Sequence, residues 1–227
     1  MTLRFPFKDG VMITVIGDVH GKFSQYADII KGCDYSVQLG DMGFNYHSLD
    51  QLVLPIDPMG KKHVFFGGNH DNYDLYPVHN SLGDYGLHTL NGVEFYYVRG
   101  AFSIDGHGRD VEYIHGGPKT HWTEEQLTVP KMSEVLGDYQ KIKPDTVITH
   151  SCPKQIADMI GNPDVLRAFG FNPETFNTNT QDMLQVMFEI HQPKLWIFGH
   201  FHRSWDADVN GTHFACLGEL ETLTLKA

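Results

Sequence analysis

The chain has little of what would direct it to a membrane or into a disulfide-stabilised fold. None of its 227 residues belongs to an apolar run near the roughly 18 residues that a membrane helix needs. Its first residues lack the long apolar stretch of a secretory signal. The three cysteines are widely spaced and form no CxxC pair, which indicates a reducing compartment without structural disulfides. We therefore expect a soluble, cytoplasmic protein with no membrane partner.

Basic residues are also scarce. Lysine and arginine number 17 against 28 aspartates and glutamates, which gives a formal net charge of −11. This balance argues against a broad basic surface and against long nucleic acid as a partner. It suits a protein that binds several divalent cations, whose charge would offset clustered carboxylates. The chain also lacks internal repeats, low-complexity tracts and linkers, so we expect residues 1–227 to form a single domain.

Short apolar runs alternate with amphipathic segments along the chain. This order predicts βαβ units and an α/β fold with a largely parallel sheet. Helices are predicted over 22–31 and 180–191. Strands are predicted over 11–16, 35–39, 62–66, 145–149 and 194–198, with closing strands over 212–217 and 220–225.

The middle of the chain has a different pattern. We predict strands over 93–98 and 101–105, followed by a polar, glycine-rich loop that runs to Pro118. Residues 123–126 resemble a capping box that opens a helix, which Pro130 interrupts or restarts. The segment 162–179 is rich in Asn, Pro, Thr and Phe and is predicted to be a loop or lid.

Five predicted strands end in polar segments, most of them rich in glycine. In open α/β sheets the loops at the carboxyl ends of the strands converge on one crevice, so distant residues can meet in one site. Of the 14 histidines, five lie in these segments, and the other nine read as surface or hydrogen-bonded side chains. The segments are Gly17-Asp18-Val19-His20-Gly21, Gly40-Asp41, Gly68-Asn69-His70-Asp71, His150, and Gly199-His200-Phe201-His202.

These segments carry the donor atoms of a metal site. Imidazole, carboxylate and amide donors without thiolate suit Mn, Fe, Zn, Ni or Co, and Asp41 has two oxygens that can bridge two cations. Each segment alone has a simpler explanation, such as turn chemistry at Asp18, a left-handed turn at Asn69 or a hydrogen-bonded His150. Cys152 is close to His150 but reads as a packing residue. The five segments together, in this order, indicate a metal centre.

The order of the five segments resembles the calcineurin-like metallophosphoesterase superfamily, and the match spans residues 17–202. The resemblance implies two face-packed mixed β-sheets flanked by helices, an αββα sandwich with a two-metal centre at the strand ends. It implies two divalent or trivalent ions, with manganese preferred and Fe, Zn, Ni, Co or Mg as alternatives. By motif, Asp18, His20, Asp41 and His202 would hold the first ion, and Asp41, Asn69, His150 and His200 the second.

The same resemblance assigns His70 to protonation of the leaving group or to stabilisation of the transition state. Two cations about 3.5–4 Å apart can share a hydroxide and hold phosphoryl oxygens for in-line attack, independently of any family name. A protonated imidazole nearby can give the departing alkoxide its proton. Asp71 either orients His70 or is an ordinary solvated aspartate.

Two departures from the sequence patterns of known subfamilies narrow the kind of phosphoesterase that the resemblance implies. The stretch from Gly40 to Tyr46 lacks the Asp-Arg pair that protein Ser/Thr phosphatases of the superfamily carry, and Phe44 occupies the position of the iron-bound tyrosine of purple acid phosphatases. What remains is a small single-domain member of bacterial or phage type, located in the cytoplasm or in the cytoplasm of a phage host. Such members act on phosphomonoesters, phosphodiesters or nucleotides.

Two arginines are candidate substrate ligands. The stretch that contains Arg99 and Arg109 is similar to a recurring insertion in uncharacterised bacterial and phage members, and both guanidinium groups could bind a phosphate bidentately. A surface charge is the alternative for Arg99. Two further functions stay open: a nuclease or cyclic-nucleotide phosphodiesterase, and a non-catalytic scaffold of the same fold. Because a residue able to bind metal occupies every expected ligand position, an enzyme is the favoured interpretation.

Overall fold

A computed structural model describes residues 2–4, 12–43, 62–76 and 80–226 of the chain, and within them eleven strands form two β-sheets. The strands are β1 Thr2–Arg4, β2 Met12–Ile16, β3 Ser36–Gln38, β4 His63–Phe65, β5 Tyr85–Leu90, β6 Val93–Val98, β7 Thr146–Thr149, β8 Leu195–Phe198, β9 Trp205–Val209, β10 Thr212–Cys216 and β11 Thr222–Lys226.

Both sheets are mixed, with a parallel centre. The first has the order β1-β11-β2-β3-β4, in which β2, β3 and β4 run parallel and β11 is antiparallel to β2. The second has the order β5-β6-β7-β8-β10-β9, in which β6, β7, β8 and β10 run parallel. The parallel strands of each sheet therefore bring their carboxyl ends to one edge.

The two sheets pack face to face. Their shared core contains Val15 and Val37 from the first sheet, and Phe95, Ile148 and Ile197 from the second, all fully buried. Strands that are covered on both faces read as continuous apolar runs, which is why the sequence predicted them without an alternating pattern. The expected pair of face-packed mixed sheets is confirmed.

Helices cover the outer faces of both sheets. The helices in the described residues are α1 Phe23–Lys31, α2 Gly106–Ile114, α3 Val129–Ile142, α4 Lys154–Ile160, α5 Pro163–Ala168 and α6 Asn179–Ile190. Tyr26 and Ile30 of α1 pack against Phe65 of the first sheet. Helices α3, α4 and α6 pack against the second sheet around Trp196 and Phe214. No helix in the described ranges is long and apolar enough to cross a membrane.

The middle of the chain corrects three expectations. Residues 101–105 form no strand, because the backbone N–H of Ser103 bonds to the side chain of Glu125 instead of to a neighbouring strand. The predicted loop after them contains helix α2, which Gly106 and Gly108 disguised in the sequence. The predicted capping box is only a 3₁₀ turn, Thr123–Glu125, and α3 begins later, with a proline in its first turn.

The segment 162–179 is more ordered than the loop that its composition suggested. It contains helix α5, whose N-cap Asn162 accepts a hydrogen bond from the backbone N–H of Asp164. The hydroxyl of Thr178 accepts a hydrogen bond from the backbone N–H of Gln181 and so caps α6. The two caps fix both ends of the segment.

Candidate metal centre

The five polar segments meet at one edge of the sandwich. Asp18 and His20 follow β2, Asp41 follows β3, and Asn69 follows β4, so three loops come from the parallel strands of the first sheet. The second sheet supplies His150 after β7 and the pair His200 and His202 after β8. The seven expected ligand residues thus come together from both sheets.

The backbone at this edge is unusual. Four of the seven residues have left-handed backbone angles, with φ of +47° at His20, +55° at Asp41, +68° at His200 and +51° at His202. Non-glycine residues rarely adopt such angles, and they cluster at functional sites. Gly68 belongs to the same arrangement, since a Cβ atom there would collide with the carboxylate and the backbone nitrogen of Asp41.

The first cluster consists of Asp18, His20, Asp41 and His202. Each residue offers one donor atom, and these atoms all lie within 4.8 Å of one another. The Nε2 atoms of His20 and His202 are 2.9 Å apart. Asp41 Oδ2 lies 3.5 Å from Nε2 of His20, and Asp18 Oδ2 lies 3.3 Å from Nε2 of His202. Donor atoms that converge in this way suit a common cation.

The second cluster consists of Asn69, His150, His200 and Asp41. Asn69 Oδ1 lies 2.9 Å from Nε2 of His150 and 2.9 Å from Nδ1 of His200. Asp41 Oδ1 lies 3.4 Å from Nε2 of His150. The donor set again combines imidazole, amide and carboxylate atoms, which fits a divalent transition metal.

Asp41 takes part in both clusters. Its Oδ1 faces the second cluster and also accepts a hydrogen bond of 2.7 Å from the backbone N–H of His70. Its Oδ2 faces the first cluster and is buried without a hydrogen-bond partner among the described residues. A buried carboxylate oxygen without a partner is costly unless a cation compensates it. The residues present therefore fit a bound metal.

Burial and neighbouring charges shift the pKa values of three residues at the site. Burial would raise the pKa of Asp41, but the His150, His70 and His20 imidazoles outweigh it and hold that pKa well below its usual range. Burial disfavours charge on His150 too, yet Asp41 and Asp18 raise its pKa to about 9. Burial lowers the pKa of His200 to about 3, with the charge of His150 acting in the same direction. The His200 imidazole is therefore neutral at physiological pH and can offer a ring nitrogen to a metal.

Further polar groups hold the ligands in place. His150 Nδ1 must donate to the carbonyl of Leu39, 2.7 Å away. When the ring is neutral, its lone pair is therefore on Nε2, which faces the second cluster, and a bound metal would displace the proton that the raised pKa otherwise favours there. The amide nitrogen of Asn69 donates to the Ser103 hydroxyl at 2.9 Å, and that hydroxyl donates to Glu125 at 2.7 Å. Ser103 and Glu125 were not predicted to support the site, because they lie outside the strand-end segments and the stretches that contain them indicated no contact with Asn69.

His70 lies beside the clusters without belonging to either. Its ring centre is 5.4 Å from that of His20, and its Nδ1 is buried with no hydrogen-bond partner in the described part of the chain. Burial lowers the pKa of its imidazole, against the opposing charge of Asp41. Together with Asn69, His200 and His202, the ring lines a cavity of about 560 Å³.

Asp71 is buried, which corrects the expectation of a solvated aspartate, and its hydrogen bonds go to backbone groups of two loops. Its carboxylate is fully buried and accepts hydrogen bonds from the backbone N–H groups of Gly43, at 2.9 Å, and Gly68, at 2.8 Å. Burial raises its pKa to about 6. Asp71 therefore ties together the two loops that carry Asp41 and Asn69.

The two candidate arginines are bound to protein groups. Arg99 donates to Asp84 and to the carbonyl of Glu124, both at 2.7 Å. Arg109 lies in α2, where it donates to the carbonyl of Thr120 and to Asp105. Neither lines the cavity, so the structure does not support the expected contact with a substrate phosphate.

Other residues singled out in the sequence lie away from the clusters or outside the described residues. Cys152 is buried in the core between the second sheet and its helices, as a packing residue would be. His63 is bonded to Ser36. Phe44, Tyr46, His47 and His79 lie outside the residues that the structure describes.

The chain is similar to known proteins at the level of sequence. The sequence model of the calcineurin-like phosphoesterase family matches residues 11–204. A lariat debranching enzyme from Entamoeba histolytica is 24% identical over 254 aligned residues, which cover 92% of this chain and 68% of that enzyme.

Solved structures are similar to this chain. The TT1561 protein of Thermus thermophilus superposes with a TM-score of 0.54 at 12% identity, covering 92% of this chain and 90% of that one. The phosphopantetheinyl hydrolase of Mycobacterium tuberculosis gives a TM-score of 0.43 at 13% identity, with coverages of 92% and 91%. The family match covers most of the described sandwich and all five polar segments. The chain therefore belongs to the calcineurin-like phosphoesterase family and is a metal-dependent phosphoester hydrolase.

Proposed function

We propose that the chain is a dinuclear enzyme that hydrolyses small phosphate esters. The observation that carries this proposal is the position of Asp41, whose two oxygens face two separate groups of donor atoms, at 3.5 Å from His20 and 3.4 Å from His150. In this proposal Asp18, His20, Asp41 and His202 hold one ion, and Asp41, Asn69, His150 and His200 hold the other. Manganese is the ion preferred on the family resemblance, and the combination of oxygen and imidazole donors suits it, as it also suits Fe, Zn, Ni and Co.

Two cations at this position would lower the pKa of a water molecule between them and neutralise charge on the phosphoryl oxygens. The protein's contribution is to fix their ligands. Leu39 orients His150, and the chain from Glu125 through Ser103 to Asn69 fixes the amide. Such rigid support is what lets a site meet the transition state without reorganisation.

His70 is proposed as the group that assists the leaving alkoxide. It lies at the wall of the cavity beside both clusters, and its Nδ1 has no hydrogen-bond partner in the described residues. Burial lowers its pKa and the charge of Asp41 opposes that shift; a bound anionic phosphate would act in the same direction as Asp41 and favour the protonated ring. The protonated ring would then give its proton to the departing oxygen.

Small esters are favoured over long nucleic acid. The net charge of −11 opposes the several phosphate contacts that a long strand requires. A phosphodiesterase that acts on a short strand is the second candidate, and the similarity to the lariat debranching enzyme favours it.

A direct test compares p-nitrophenyl phosphate with bis(p-nitrophenyl) phosphate, with Mn²⁺, Ni²⁺, Zn²⁺ or Mg²⁺ supplied in turn. We expect turnover that a chelator abolishes and that returns when metal is added back. Asn69→Ala should lower it strongly, whereas the matched substitution Thr175→Ala, at an exposed position, should not. Turnover that survives complete removal of metal would contradict the proposal, and so would absence of turnover with all four ions on both esters.

A further inference from the structure

The cavity beside the metal centre extends well beyond the clusters. Its inner end is formed by Asn69, His70, His200 and His202. Its outer end is formed largely by the segment 162–178 together with residues that precede and follow it. At about 560 Å³ the cavity is larger than a phosphoryl group requires and falls in the range of pockets that hold whole small molecules.

Aromatic side chains form much of its wall. Phe102 and Phe176 have ring centres 6.1 Å apart, and each also packs on Phe171, at 6.0 and 5.0 Å. Phe201 packs on His200 with ring centres 5.1 Å apart, so the apolar wall continues to the edge of the second cluster. Surfaces of this kind bind flat apolar groups, because aromatic rings pack well by offset or edge-to-face contact.

The acidic side chains in the wall are paired with cations from outside it. Asp105 accepts from Arg109 at 2.9 Å, and Asp158 is bonded to Lys154 one turn earlier in α4. Pairing removes much of the attraction that these carboxylates would exert on a cationic ligand. The wall therefore gives a positively charged ligand no unpaired acidic partner.

Gln181 is a second polar residue of the wall, besides His70, with a side-chain atom that is unpaired among the described residues. The residue is only 6% exposed and lines the cavity, yet its side-chain amide makes no hydrogen bond within the described part of the chain. The Thr178 cap binds the backbone N–H of Gln181 at 3.1 Å and fixes the residue in the first turn of α6. A side-chain amide that is accessible from a cavity and has no protein partner can bind a ligand that supplies both an acceptor and a donor.

We propose that this cavity holds the organic part of the phosphate ester and selects a planar heteroaromatic ring with a hydrogen-bonding edge, as in a nucleobase. The ring would lie against the aromatic wall, and its edge would pair with the Gln181 amide. The inference rests on the proposed function, because it is the phosphoryl group at the metal centre that directs the organic part past His70 into the cavity. An aliphatic polyol would leave the aromatic wall poorly covered, and a plain hydrocarbon would leave the amide unpaired.

The test measures binding of unphosphorylated nucleosides to the manganese-loaded protein by calorimetry, with adenosine and uridine as probes. Ribose and benzyl alcohol serve as comparison ligands, since the first lacks the ring and the second lacks the polar edge. We expect at least one nucleoside to bind, and to bind more tightly than either comparison ligand. Gln181→Leu should weaken nucleoside binding about tenfold, the usual effect of losing one buried hydrogen bond, and leave benzyl alcohol binding unchanged.

Gln140→Leu, the same substitution at an exposed position of α3, is the matched control and should bind nucleosides as the unaltered protein does. If Gln181→Leu does not fold, Gln181→Glu tests the same point, because it loses the donor and should also weaken binding. Binding of benzyl alcohol as tight as that of the nucleosides, absence of nucleoside binding, or equal behaviour of the two leucine variants would overturn the inference. Hydrolysis of nitrophenyl esters is measured separately, so failure here leaves the proposed function standing.

Discussion

His70 and its two neighbours in the same loop, Asn69 and Asp71, make different contacts. Asn69 directs its amide oxygen at two imidazoles, and Asp71 binds two backbone N–H groups. His70, between them, is bound to Asp41 only through its backbone and keeps its ring in the cavity wall. The sequence indicated that this loop was functional, but only the structure separates the three roles.

If His70 is a proton donor and not a metal ligand, His70→Ala should leave metal binding intact. Loss of a general acid costs about 10²–10⁴-fold in rate, and an alkyl phosphate ester should suffer this loss in full. A nitrophenyl ester should lose much less, because nitrophenolate departs without needing a proton. Steady-state kinetics on both esters check this. Equal losses would instead indicate that His70 stabilises the phosphoryl oxygens, and loss of a metal would make it a ligand.

Ser103 is expected to act on the metal through Asn69. Removal of its hydroxyl in Ser103→Ala breaks the link between Asn69 and Glu125, and losses of such outer contacts typically cost about 10–100-fold in metal affinity or activity. Ser133→Ala, an exposed serine in α3, is the control. Competition with a fluorescent chelator measures the affinity. A Ser103→Ala protein with unchanged affinity and turnover would show that the link does not position Asn69.

The sequence located the residues that converge at the edge of the sandwich where the signal was local, and their role as ligands stays a prediction. The seven ligand candidates each follow an apolar strand within a short polar segment, and this context is visible without a structure. Ser103 and Glu125 could not be found in this way, since their partners lie 34 and 22 residues away in the chain. Arg99 and Arg109 read as free charges because their partners, two of them backbone carbonyls, carry no sequence signal.

At the scale of elements, the turns after the strands determine where the candidate ligands lie. At Gly68 the backbone comes so close to Asp41 that a Cβ would meet its carboxylate and backbone nitrogen. Gly68→Ala should therefore displace Asp41 and weaken metal binding at both clusters. Metal content after dialysis against a fixed free concentration measures this effect.

Gly137 provides the matched control, because it lies inside α3 and a Cβ added there would meet no atom within 4 Å. Gly137→Ala should leave metal content unchanged and stabilise the fold by roughly 0.5–1 kcal/mol, the usual gain for alanine in a helix. A metal-replete Gly68→Ala protein would show that the turn tolerates a side chain and that its close approach is incidental.

Element prediction failed where tertiary contacts replaced local preference. Residues 123–126 were expected to open a helix, but they form only a 3₁₀ turn, and the Glu125 carboxylate within it binds the backbone and the hydroxyl of Ser103. Helix α2 begins with Gly106 and contains Gly108, two residues of low helix propensity, so the sequence read as a loop. The buried strands were easier to find, because burial on both faces leaves a nearly continuous apolar run.

At the scale of the whole molecule, the metal centre joins the two sheets. Asp18, Asp41 and Asn69 come from the first sheet, and His150, His200 and His202 come from the second. In the proposed arrangement, ions held by both sets would cross-link the sandwich at one edge and offset the two fully buried carboxylates of Asp18 and Asp41. Metal binding and folding stability are therefore expected to be linked.

Thermal unfolding followed by circular dichroism should show this linkage. A free metal concentration of about 100 times the dissociation constant stabilises a fold by about 2.7 kcal/mol per site. For a chain of this size that amounts to a rise in Tm of roughly 5–10 °C per site. A chelator should reverse the rise. An unchanged Tm would mean that the metals bind no more tightly to the folded than to the unfolded chain.

The central claim is that Asp41 bridges two metal ions, and counting bound Mn²⁺ per chain by equilibrium dialysis and mass spectrometry tests it most directly. The account predicts two ions in the unaltered protein. His202→Ala should lose mainly the ion of the first cluster, Asn69→Ala mainly that of the second, and Asp41→Asn should weaken both at once. An Asp41→Asn protein that still holds two tightly bound ions and turns over normally would contradict the account.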